Sequence, residues 1–201
     1  MGLTGGLASG KSTVAVMLGR RGVPIFDADA AVHRLYRSGE AGAQAVAQAF
    51  GRDTLAQDGS VDRQKLSRRV VGHAEALDRL NALIHPLVRN AVTVWLDELE
   101  PQPPVAIVEA ALLVETGSYR SYDVVMVVWC DPEQQLRRAV ARGMDEDHAR
   151  GLLSGQLGLE DKRAVADVVI DNSGSLEELS SAVDVAWHQV LQLCRVGDAA
   201  D

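Results

Sequence analysis

The run "GGLASGKST", Gly5 to Thr13, constrains this chain more than any other stretch of it. It fits the spacing G-x-x-x-x-G-K-[ST] from Gly5 through Gly10 and Lys11 to Ser12. Glycines at those two places let backbone N–H groups turn inward toward phosphate oxygens. The helix that must follow, Ser12 to Arg21, aims its positive end at the same point and stops at Gly22. Such a cradle hangs from a buried strand, and only Met1 to Thr4 precede it. Met1 and Leu3 are the apolar anchors there, so a weakly held first strand is expected. The candidate phosphate-binding residues are Gly5, Gly6, Leu7, Ala8, Ser9, Gly10, Lys11, Ser12 and Thr13. Lys11 is placed for the β- and γ-phosphates of a nucleotide, and the Ser12 hydroxyl for Mg²⁺.

Beyond the cradle, apolar runs alternate with helical patterns, the signature of an α/β fold with a parallel sheet. Candidate strands are Met1–Thr4, Val23–Asp27, Val105–Glu109, Asp123–Trp129 and Asp167–Asp171. "VVMVVW" is continuously apolar, as a strand buried on both faces should be. Aromatics make up only 4% of 201 residues, so aliphatic side chains must fill the core. Asp131-Pro132 opens a helix that Gly143 stops, and Asp145 caps another that ends near Gly158. Ser175 with Glu178 forms a capping box, and Leu179, Val183, Val190 and Leu193 give the last helix its apolar face. Between the second and third strands lie about 75 residues without a strand signal, far beyond an ordinary crossover. Helical patterns there run over Ala41–Phe50, Asp62–Val71, Ala74–Leu83 and Pro86–Leu99, with a turn at Asp58-Gly59. An insert of this size on such a core is expected to bind substrate.

The formal charge of −8 argues against nucleic acid or an anionic membrane surface as partner. No apolar run is long enough to span a membrane, and the N-terminus lacks a secretory pattern. Cys130 and Cys194 have no metal spacing and suit a reducing cytosol, and the acidic end from Gly197 to Asp201 is expected to fray.

Three side-chain groups stand where chemistry is expected. "IFDAD" ends the second strand with Asp27 and Asp29, and ligands of open parallel sheets lie beyond the carboxyl ends of strands. Next to the cradle one of the two is expected to accept a proton from a hydroxyl; the alternative reading of an isolated D-x-D is capping of the helix that follows. "IVEAALLVE" ends the third strand with Glu109, placed to hold Mg²⁺ through water. Glu115 follows, divided between surface capping and function. "LRRAVARG" puts Arg138 and Arg142 one helical turn apart, and with Arg150 and Lys162-Arg163 they form a basic segment able to clamp phosphates. His85, before Pro86, reads as the start of a helix and has no role on residue chemistry alone.

The stretches "GLTGGLASGKSTV", "GVPIFDADAAVHRL", "DGSVDRQKL", "IHPLVR", "LLVETG" and "KRAVADVVIDNSGSLEEL" together resemble the dephospho-CoA kinase family. They occur in the family's order over nearly the whole chain. The resemblance implies a P-loop kinase core of five parallel strands in the order 2-3-1-4-5, made of residues 1–30, 101–137 and 161–201. It implies a helical acceptor domain over 31–100 and a lid over 138–160. The implied reaction carries the γ-phosphoryl of ATP to the ribose 3′-hydroxyl of 3′-dephospho-CoA, with ATP and Mg²⁺ bound, in a cytoplasmic monomer. Asp29 is then the general base, and Arg138 and Arg142 stabilise the transferring group. Asn172 lies near adenine, and Thr4, Asp29, His85, Leu112, Leu113 and Glu115 serve the acceptor. The chain departs from the family at Glu109 for Asp, Ala111 for Pro, and Leu152 for a lid Arg. Two alternatives stay open, a kinase of another small hydroxyl acceptor and a degenerate nucleotide-binding regulator. "HPLVR" and "DNSG" weigh against the first, and the retained Lys11, Ser12, Asp29, Arg138 and Arg142 against the second.

Overall fold

The computed structural model describes residues 1–197, so the end expected to fray lies almost wholly outside the described residues. The chain divides into two compact units, Met1–Phe26 with the segment from Glu100 onward, and Asp27–Leu99.

The first unit is built on a five-stranded parallel sheet in the order β2-β3-β1-β4-β5. Its strands are β1 (Gly2–Gly5), β2 (Ile25–Asp27), β3 (Ile107–Glu109), β4 (Val125–Trp129) and β5 (Val168–Asp171). Alternation along β4 explains its unbroken apolar run. Met126 and Val128 face the layer of α1 (Lys11–Gly19) and α9 (Leu176–Gly197). Val125 and Val127 face Leu113 on the other side. Each such fully buried aliphatic side chain contributes about 1.5–3 kcal/mol.

The strand expected to be weakly held is buried throughout and lies at the centre of the sheet. It registers Leu3 against Glu109 on one side and Met126 on the other. The backbone ladder on both sides anchors it together with Met1 and Leu3, both in the core. A Cβ at Gly2 would stand 2.6 Å from Leu113 Cδ2, so glycine is what lets the neighbouring layer approach.

Most predicted helix ends are observed. Asp131 caps α6 (Pro132–Ala141), and Asp145 caps α7 (Glu146–Gly155). The box before α9 is complete: Ser175 N–H donates to Glu178 Oε2 at 2.7 Å, and Glu178 N–H to Ser175 Oγ at 3.2 Å. Two expectations need correction here. The helix after Asp145 stops at Gly155, and a short separate helix, α8 (Leu159–Arg163), follows. On α9 the buried stripe runs Leu179, Val183, Ala186, Val190, while Leu193 is 44% exposed and Cys194 packs inward instead. A period of about 3.6 residues carries the stripe past Leu193.

The second unit packs α2 (Ala28–Leu35), α3 (Ala41–Phe50), α4 (Arg63–Val70) and α5 (Ala74–Asp97) around Val46, Phe50, Leu66 and Ile84. Here the expected break at His85-Pro86 is absent. Helix α5 runs 24 residues with Pro86 inside it. Leu80, Leu83, Ile84, Leu87 and Val88 all pack on the same cluster across that point. Keeping this face buried offsets the roughly 3 kcal/mol that an interior proline costs.

Candidate active site

The cradle after β1 is held open by its own backbone and braced from behind by three amide side chains. Gly10, at the N-terminal cap of α1, has φ 100°, and Ala8 has φ 55°. A Cβ at Gly10 would collide with the Asn172 side chain, so a larger residue fits neither the conformation nor the space. Asn172 Nδ2 donates to Ser9 O at 2.7 Å, and Gln135 Nε2 to Leu7 O at 2.7 Å. Leu7 N–H donates to Gln156 Oε1 at 2.9 Å. Asn172, expected near adenine, thus has its amide committed to the loop. The bracing by Gln135 and Gln156 escaped the sequence reading, since an isolated glutamine on a helix carries no local signal.

At the mouth of the cradle two oxygen donors and a cation meet. Lys11 Nζ lies 2.8 Å from Glu109 Oε1, and the Ser12 hydroxyl donates to the same oxygen at 2.9 Å. Glu109 is only 6% exposed, so its charge is balanced by Lys11 inside the protein. The aspartate-to-glutamate departure therefore keeps a carboxylate within reach of both. A hydroxyl and a carboxylate side by side are hard oxygen donors, the set that Mg²⁺ takes together with substrate phosphates.

The two aspartates after β2 have different surroundings. Asp27 is the cap of α2, accepting the Ala30 N–H at 2.8 Å. Asp29 lies in the first turn of that helix and is the carboxylate not used as its cap. His85 sits on α5, where partial burial, and secondarily Arg89 one turn on, push its pKa below 6.5.

The basic segment divides more sharply than its spacing suggests. Arg138 is half-buried and donates to the Asn172 carbonyl at 2.8 Å. Arg142 is the C-terminal cap of α6, exposed, because Gly143 with φ 88° ends the helix there. The two share one helical face only up to that cap. Lys162 is a correction: it is fully buried, donating to Ala111 O at 2.9 Å and pairing with Glu115 at 2.7 Å. It cannot clamp a phosphate from there. Glu115 also accepts the Leu157 N–H at 3.3 Å, so it ties the loop after β3 to the segment that follows α7. Arg163 lies over the Trp129 ring at 5.8 Å, and Arg150 pairs with Glu146 at 2.6 Å on the surface. Thr4 is buried, with its hydroxyl donating to Ala111 O at 3.3 Å. Leu112 is 49% exposed, whereas Leu113 is 2% exposed and belongs to the core beneath the sheet. Of the two, Leu112 is the one with surface to offer a ligand.

A family model described as dephospho-CoA kinase matches residues 1–178. This chain belongs to the dephospho-CoA kinase family. Among similar proteins, the dephospho-CoA kinase of Cutibacterium acnes is 42% identical over 94% of this chain and 84% of its own length. That of Geobacter sulfurreducens is 40% identical over 93% and 96%. A solved structure from Thermus thermophilus superposes with a TM-score of 0.81 at 33% identity, covering 94% of this chain and 96% of that one. A shikimate kinase from Acinetobacter baumannii, at 17% identity and a TM-score of 0.50, shares the fold. Ala111 contributes its carbonyl to Lys162 and Thr4, which any residue could do, and Leu152 is 39% exposed on α7.

Proposed function

We propose that this chain transfers the γ-phosphoryl group of ATP to the ribose 3′-hydroxyl of 3′-dephospho-CoA, giving coenzyme A and ADP, with Asp29 as general base. The observation that carries the reading is the Lys11–Glu109–Ser12 constellation at the cradle, in a chain whose family match spans residues 1–178. Backbone N–H groups from Gly5 to Thr13 bind the nucleotide phosphates. Lys11 exchanges its carboxylate partner for β- and γ-phosphate oxygens. Ser12, and Glu109 through water, would hold Mg²⁺, which would supply positive charge to the phosphates.

Asp29 takes the proton from the 3′-hydroxyl as its oxygen bonds to the γ-phosphorus. The bond from that phosphorus to the bridging oxygen breaks, and its electron pair leaves with ADP. Arg142 faces the developing charge on the transferring group. Arg138 acts at the same group, its guanidinium anchored on the Asn172 carbonyl. His85, Leu112, Thr4 and Glu115 serve the acceptor, the last two by supporting the loop after β3, and Leu113 supports Leu112 from the core. The enzyme works as a cytoplasmic monomer; no helix among the described residues is long and apolar enough to cross a membrane.

A coupled ADP assay with dephospho-CoA, adenosine or no acceptor tests the reading. ADP should form in step with coenzyme A when dephospho-CoA is present. Nucleotide binding without transfer would support a regulator, and a preference for another alcohol would support a different kinase.

A further inference from the structure

We propose that Arg63, oriented by His33, binds the diphosphate of the acceptor and so selects acceptors that carry one. The inference rests on the reading above that Asp29 faces the ribose 3′-hydroxyl. All the residues involved lie in the second unit.

His33 follows Asp29 by four residues on α2, so the two share one helical face. Arg63 opens α4, and its Nη1 lies 2.9 Å from His33 Nε2. A guanidinium only donates, so Nε2 is the acceptor in this contact. This partner orients the guanidinium without cancelling its charge. Two other cations of α4 are paired: Arg69 is bonded to Asp53 and to the Phe50 carbonyl, and Lys65 lies 3.4 Å from Asp62. The charge of Arg63 also reaches Tyr36, where it opposes the upward push of burial on the phenol. An exposed, oriented and charge-retaining guanidinium is thus bonded to a histidine that lies one helical turn, ~5.4 Å, along α2 from the proposed base.

One ribose spans a comparable separation between its 3′-hydroxyl and the diphosphate on its 5′-oxygen. With the hydroxyl at Asp29, the diphosphate falls at Arg63, whose fork can donate to two phosphate oxygens at once. Arg34 provides the contrast. It follows Asp29 by five residues and so points about 140° around the helix from it.

Steady-state kinetics test this with dephospho-CoA as acceptor and adenosine, which has the 3′-hydroxyl but no diphosphate, as a competitor. Arg63→Gln should raise the KM for dephospho-CoA on the order of tenfold. The KM for ATP, the inhibition constant of adenosine and the melting temperature should stay as in the wild type. Arg63→Lys should fall between, Arg34→Gln should match the wild type, and His33→Gln should raise the same KM by a smaller factor. Equal weakening of dephospho-CoA and adenosine in Arg63→Gln would reduce Arg63 to a structural tie between α2 and α4. No change in either would overturn the inference while leaving the proposed function intact. Absence of wild-type turnover would remove both.

Discussion

At the scale of single residues, carboxylates and cations that look alike in the chain part by their surroundings. Asp27 caps a helix and Asp29 does not, so substitutions at the two should fail differently. Asp29→Asn should lower kcat by roughly 10²–10⁴ with little loss of stability. Asp27→Ala should cost about 1 kcal/mol in chemical denaturation and keep most activity. Lys11→Ala should lose both its phosphate contact and the partner of a buried Glu109, giving near-total loss of turnover in the ADP assay. Lys162 belongs to stability instead. Lys162→Met leaves Glu115 facing an apolar surface, and a loss of about 3–5 kcal/mol on denaturation is expected. The cradle residues were legible before the fold because their motif is local and its geometry dictates the residue types. Burial of Lys162 was not legible. A lysine on a short helix reads as solvated until Ala111 and Glu115, far back in the chain, are brought against it.

At the scale of elements, the strand ends and the caps match the chain closely, while β2, β3 and β4 begin two residues later than expected. Their signals, the apolar run of β4 and the Ser175–Glu178 box, lie within a few positions of one another. Helix α5 was misread because proline punctuates locally, while the decision to continue is made by a face packed on a distant cluster. Pro86→Ala should therefore raise stability by on the order of 1–3 kcal/mol, readable as a shift of the denaturation midpoint. His85 on the same helix adds a pH dependence. Its folded pKa lies below the value of 6.5 that the unfolded chain shows, so the unfolded state binds more protons between the two. Its contribution is fully present above that value and is lost as pH falls through the folded pKa. Urea melts at pH 7.5 and 5.5 should show a larger loss in the wild type than in His85→Gln.

At the scale of the whole molecule, the strand order 2-3-1-4-5 was implied by family likeness and is what the sheet shows. Composition and periodicity alone reached only as far as an α/β fold with a helical insert. Neither could order the strands, since order depends on which edges pair across more than a hundred residues, as Gly2 does with Val108. The bracing of the cradle by Gln135, Gln156 and Asn172 belongs to this scale too, because each reaches it from a different later element. The central claim is that this assembly phosphorylates the 3′-hydroxyl of dephospho-CoA with Asp29 as base. The most direct measurement follows ADP and coenzyme A together in single-turnover mixtures of ATP and dephospho-CoA, for the wild type and Asp29→Asn. Equal amounts of both products from the wild type, and slowing by roughly 10²–10⁴ in the variant, are predicted. Wild-type ADP formation without coenzyme A, or an Asp29→Asn variant as fast as the wild type, would contradict the account.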